Sequence, residues 1–238
     1  MDRQSIVLTA GFGDSSEMYG SLFETPLASK YRLIPIDLPG FGGAPPLAGD
    51  TTLASLAEFV ADRAKQEGAR TIIAHSASSI IASLAADGFG RPIDTILSLE
   101  GNITAEDAYF SGSAANYTDP SEFKDAFIKR LGEMSETQPI VARYLRSVSC
   151  ADARALWELG CDVRRFSARI SPGEILSRSA EVFYLYNPSN CPEATLVWLR
   201  TSSIHLIRAD SASHWISVDQ PEELSRLALA ALERSRAV

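Results

Sequence analysis

Thr71-Ile-Ile-Ala-His-Ser-Ala-Ser-Ser-Ile80 joins a run rich in β-branched residues to a helical pattern, through a serine bracketed by small residues. The stretch reads as strand, sharp turn and helix, with Ser76 at the apex. A nucleophile held on such a strained turn needs small side chains two residues before and after it, where the backbone doubles back. Ala74 and Ser78 meet that demand, although the usual Gly-x-Ser-x-Gly form has glycine at both places. The alternative is a serine that only caps the helix.

Similar apolar runs recur outward from this stretch. Residues 5–10, 31–37, 71–75, 95–100, 181–186 and 203–208 read as strands, and short continuous runs of Ile, Val and Leu suit a parallel sheet buried on both faces. Helical patterns fall between them at 15–30, 53–66, 77–87, 193–200 and 221–234. The alternation predicts an α/β fold, a doubly wound and mostly parallel sheet of about six strands with right-handed crossovers. Ligands of such sheets bind beyond the carboxyl ends of the strands. One interval breaks the rhythm, because about 80 residues separate the fourth strand from the fifth where a dozen or so suffice for a crossover. Residues 102–178, with helical apolar spacing at Phe123, Phe127 and Leu131 and again at Leu156 and Leu159, are therefore expected as a helical insertion. The core is then 1–101 and 179–238.

Composition narrows the function. A net charge of -8 and a pI near 5.0, with no basic stripe, argue against nucleic-acid or membrane partners, so the expected partner is a small-molecule substrate. The apolar run after Ser5 is too short for a leader peptide, which makes the cytoplasm the expected location. Cys150, Cys161 and Cys191 are odd in number and lack C-x-x-C spacing, so they read as reduced thiols, with neither disulfide nor metal implied. Monomer and homodimer both stay open.

The chemistry-bearing residues gather after strands. Ala10-Gly-Phe-Gly-Asp-Ser15 follows the first, with Asp14 and Glu17 spaced as a capping box. The turn reads as a capped βα connection or as a phosphate cradle, though no G-K-[ST] or G-x-G-x-x-G completes the latter. With the elbow in place, a third reading is preferred, in which its N–H groups hold an oxyanion. Of the three histidines, His75 points away from the nucleophile and reads as a packed or hydrogen-bonded structural residue, and His205 lies within a strand, buried beside it. His214, in the loop after the last strand, has the freedom to meet Ser76 as general base and then general acid.

The order of Ala10-Gly-Phe-Gly, Asp37-Leu-Pro-Gly-Phe-Gly, Ala74-His-Ser-Ala-Ser and Ser213-His-Trp, followed by Gln220-Pro-Glu-Glu, resembles the α/β-hydrolase superfamily over nearly the whole chain. The resemblance implies Ser76 as nucleophile, His214 as base, the N–H groups of Phe12 and Ala77 as oxyanion hole, and the insertion as a cap over the site. The chain departs from the pattern in three ways. It has no residues for an N-terminal hairpin, it has Ala10 where a histidine usually precedes the glycine, and Asn187 and Asn190 stand where the triad acid is expected. Some members, among them a subgroup of haloalkane dehalogenases and mycotoxin-lactone hydrolases, carry the acid after the strand before the cap. That place holds Glu100 here, with Glu193 reaching back as the alternative.

The expected activity is thus a cofactor-free serine hydrolase of a small to medium apolar carboxylic ester or lactone. Dehalogenation is disfavoured, since it needs an aspartate at the elbow. A carbon-carbon bond hydrolase of a diketone-like substrate and a non-hydrolytic ligand-binding member of the fold are the alternatives. Asn102, Tyr109, Phe110, Trp157 and Trp215 are the expected pocket residues.

Overall fold

A computed structural model describes residues 3–90 and 93–235, so Met1 and Asp2, part of the leader reading, lie outside it. The strands are β1 (Ser5–Thr9), β2 (Arg32–Ile36), β3 (Thr71–His75), β4 (Thr95–Leu99), β5 (Glu181–Tyr186) and β6 (His205–Arg208). They form one sheet in the order β2-β1-β3-β4-β5-β6, with every neighbouring pair parallel. Ile72, Ile73 and Ala74 of β3 and Ile96 and Leu97 of β4 are fully buried, as strands covered on both faces must be. The expected α/β sheet is what the residues build.

The helices are α1 (Pro26–Lys30), α2 (Leu53–Gln66), α3 (Ser78–Asp87), α4 (Pro120–Ser135), α5 (Pro139–Cys150), α6 (Ala153–Arg169), α7 (Pro172–Ser179), α8 (Glu193–Thr201), α9 (Ile216–Asp219) and α10 (Pro221–Ser235). The continuous helix expected over 15–30 does not form. A 3-10 turn spans Ser16–Glu24 and stops at Thr25, whose extended backbone (φ -101°, ψ 164°) is what a following proline imposes. Between β4 and β5, two 3-10 turns (Ala105–Tyr109 and Ser111–Asn116) precede α4, α5 and α6, while α7 packs against α3 and β5.

Topology places the site. From β1 the chain moves to one side to make β2, then returns over β1 to make β3 on the other side. That reversal opens a crevice beyond Thr9 and His75, where the connections leave in opposite directions. His205 sits on β6 at the far edge, half-exposed rather than buried, its ring stacked on Phe183 with centroids 4.9 Å apart.

Candidate active site

Ser76 occupies the turn between β3 and α3 with φ 54°, a left-handed conformation uncommon for a residue with a side chain. Its N–H still continues the ladder, donating to the Leu99 carbonyl at 3.0 Å. Two contacts clamp this elbow to the glycine-rich turn. The Ser78 hydroxyl donates to the Ala10 carbonyl, so the position where glycine is usual carries a tether instead. Gly11 passes so close that a Cβ on it would lie 2.9 Å from both Ser76 Cβ and His75 Nδ1. No side chain fits there, and the main chain is brought to where a reacting carbonyl would sit. Neither the Phe12 nor the Ala77 N–H donates to a protein group among the described residues.

Glu100 follows β4 with φ 43°, a second strained residue at the same sheet edge. Its side chain is 7% exposed, and both oxygens are engaged. Oε1 accepts from the Asn187 N–H at 2.9 Å and from Asn190 Nδ2 at 2.8 Å, while Oε2 lies 2.8 Å from His214 Nδ1. A buried carboxylate is tolerated when it is surrounded by donors of this kind. With Nδ1–H donating to Glu100, His214 Nε2 keeps its lone pair for a proton. Glu193, the alternative acid, is corrected: it pairs with Arg200 at 3.0 Å, its side chain 74% exposed, and it takes no part in this network.

His75 is the packed, hydrogen-bonded residue expected, but its direction differs. It does not point away but lies against His214, ring centroids 4.5 Å apart, and its Nε2 is 2.8 Å from the His214 carbonyl. Burial first, and then the neighbouring His214, holds its pKa well below the ordinary value, so the ring is neutral. Because a carbonyl only accepts, Nε2 carries the proton and donates it. His75 thus fixes the backbone of the loop that carries His214.

Ser76, His214 and Glu100 line one cavity, together with Gly11, Phe12 and Asn102. Ser76 Oγ makes no hydrogen bond among the described residues, while His214 Nδ1 is engaged by Glu100. Of the other expected pocket residues, Tyr109, Phe110 and Trp215 also line the cavity. Trp157 does not: its indole N–H donates to the Tyr117 carbonyl at 3.0 Å and holds the insertion together. Ala77 is buried and is not among the residues that line the cavity.

Asp14 was missed. The capping box read from Asp14 and Glu17 does not form; instead the Asp14 carboxylate, almost wholly buried, accepts from Ser15 N, Trp215 Nε1 and the Arg143 guanidinium of α5. The same helix sends the Tyr144 hydroxyl to the Phe12 carbonyl at 2.6 Å, and Ser147 Oγ to Ser15 Oγ at 3.1 Å. Burial, reinforced by Asp14, raises the Tyr144 pKa well above its ordinary value and keeps the phenol a donor. Spacing of Arg143, Tyr144 and Ser147 on one helical face was the available signal, but nothing in sequence says which turn they meet.

The profile of a family described as the alpha/beta hydrolase family matches residues 6–227, most of the chain. The chain belongs to the alpha/beta hydrolase family. Among solved structures, a thermophilic esterase from Thermogutta terrifontis is 17% identical with a TM-score of 0.73, covering 98% of this chain and 90% of that one. The enzyme AqDC, described with the recognition and ring-cleavage of the Pseudomonas quinolone signal, is 16% identical with a TM-score of 0.75, covering 97% and 92%. Likeness at this identity speaks for the shared hydrolase fold alone. A curated relative, the dihydrolipoyllysine-residue acetyltransferase component of the acetoin cleaving system of Cupriavidus necator, is 34% identical over 98 residues. The match covers 40% of this chain and 26% of that relative, so the chain spans about a quarter of its length. Among the described residues, no helix is long and apolar enough to cross a membrane, and no group of three or more His, Cys, Asp or Glu is arranged to hold a metal.

Proposed function

We propose that this hydrolase cleaves a small to medium apolar carboxylic ester or lactone through an acyl-enzyme on Ser76. The observation that carries the reading is Glu100 on His214 Nδ1 at 2.8 Å, with its other oxygen held by the Asn187 and Asn190 donors. In this mechanism His214 Nε2 takes the Ser76 hydroxyl proton as Oγ attacks the ester carbon. Glu100 holds the tautomer and stabilises the imidazolium. The carbonyl oxygen, now negative, takes the Phe12 and Ala77 N–H groups. His214 returns the proton to the leaving alkoxide, and water, activated by the same base, releases the acid. Phe110 and Trp215 give the site its apolar wall. The two 3-10 turns and α4 to α6 act as a cap that sets substrate size, and α7 serves the core as the crossover into β5.

Turnover of 4-nitrophenyl esters of graded acyl length tests the proposal. Hydrolysis abolished by Ser76→Ala, with the variant folded, is the expected result. A folded wild-type protein inert toward all esters and lactones overturns it and leaves carbon-carbon cleavage or ligand binding as the readings to pursue.

A further inference from the structure

The polar atoms of the cavity wall are nearly all engaged. Asp14 receives Arg143 and Trp215; Asp107 Oδ2 receives the N–H groups of Ile103 and Thr104 and the Thr195 hydroxyl. The Tyr184 hydroxyl donates to the Gly101 carbonyl at 2.7 Å, and Tyr144 to Phe12. Six buried side-chain atoms among the described residues have no partner, and only His75 Nδ1 and Asn102 Nδ2 belong to residues that line this cavity. The first is closed off, since Gly11 lies against it too tightly for even a methyl group. Asn102 remains, 3% exposed, its Nδ2 buried and without a hydrogen-bond partner among the described residues.

An unsatisfied buried amide is costly, and native proteins rarely leave one without a reason. Its place suggests the reason. Asn102 comes two residues after Glu100, and β4 pairs directly with β3, His75 opposite Leu99. Asn102 lines the same cavity as Ser76 and His214. Gly101 pins it there: a Cβ on Gly101 would lie 2.2 Å from Ser79 Oγ on α3 and 2.3 Å from Ser98 Oγ, so the chain crosses the start of α3 at contact distance.

We infer that Asn102 is a polar subsite that takes a second oxygen of the substrate, one other than those of the scissile ester. The substrate class is then a carboxylic ester or lactone bearing a hydroxyl or keto oxygen a few bonds from the reacting carbonyl. A carboxamide offers both donor and acceptor, so it suits either oxygen whichever way it is turned. This inference rests on the esterase reading and narrows it. Sites built to hydrogen-bond a substrate oxygen discriminate strongly against analogues without it, because their own polar group is then left unpaired.

The test compares kcat/KM for 4-nitrophenyl butyrate with its 2-, 3- and 4-hydroxy and 3-oxo derivatives, in wild type, Asn102→Leu and Asn102→Ala. At least one oxygenated ester should lose about tenfold to a hundredfold relative to butyrate in both variants, the range one buried hydrogen bond spans. Asn102→Leu should melt no lower than wild type, since it removes an unpaired amide. If all esters fall together, or the ratios do not move, the inference is overturned. Should wild type hydrolyse none of them, binding of methyl 3-hydroxybutyrate and methyl acetoacetate to Ser76→Ala decides: affinity lost with Asn102→Leu sustains the subsite without the esterase reading, and affinity unchanged ends both.

Discussion

The connections after β4 and β5 leave neighbouring strands at the same sheet edge and face the same histidine, yet they carry opposite chemistry. The first offers a carboxylate, Glu100; the second offers amides, the Asn187 backbone and the Asn190 side chain, and both donate to Glu100. Asn187 Nδ2 also donates to the Ala212 carbonyl at 2.8 Å, two residues before His214, so the second loop braces the His214 loop as well as Glu100. The loop after β5 is thus the scaffold that holds the Glu100 carboxylate supplied next door. Placing a charge on one loop needs donors on its neighbour, because a buried carboxylate is stable only among donors.

The sharpest way to break this comparison is to remove the charge. Glu100→Gln should keep the fold and lower kcat by about 10² to 10⁴, since a neutral amide neither fixes the His214 tautomer nor stabilises the imidazolium. Steady-state kinetics with thermal unfolding checks both halves. A loss below threefold would return Glu100 to the role of a strand-end cap.

Weakening the scaffold should do less. Asn190→Ala removes one donor from Oε1 but leaves the Asn187 N–H, and a single partly exposed hydrogen bond of about 1 kcal/mol corresponds to roughly a fivefold drop in kcat. KM should hold, since Asn190 acts through Glu100; a rise in KM with kcat unchanged would make it a substrate contact instead.

Cys191 reports the charge of one loop from within the other. Its thiol is pushed up to about 12 by burial first and then by Glu100 and Asp107. Iodoacetamide at pH 8 should therefore modify the exposed Cys150 and spare Cys191, and Glu100→Gln should make Cys191 more reactive. Mass-spectrometric mapping of alkylation over time reads this. Glu193→Gln marks the floor of the series, because a solvent-exposed pair with Arg200 contributes little; kcat should stay within about twofold.

The sheet was legible because strands buried on both faces write themselves as continuous apolar runs, and each of the six expected ones formed. The elbow was legible despite its missing glycines, since Ala74 and Ser78 are small enough for the turn. Less readable was whatever depends on long-range approach. Pro26 breaks the helical pattern of 15–30, and Asp14 reads as a cap because spacing shows a helix start and says nothing of Arg143, 129 residues away. Trp157 belonged to an aromatic set from which only a fold can sort pocket from packing. The structural role of His75 was legible, but its partner was not, because the loop that returns to cover it comes 139 residues later.

On the proposed reading, Ser76 is an activated nucleophile and not a helix cap. Intact-mass and peptide mapping after treatment with a fluorophosphonate tests it most directly. One adduct per chain, on Ser76, absent in Ser76→Ala and formed at least tenfold more slowly in Glu100→Gln, is the result the geometry predicts. No adduct on folded protein, or an adduct on another residue, would contradict it.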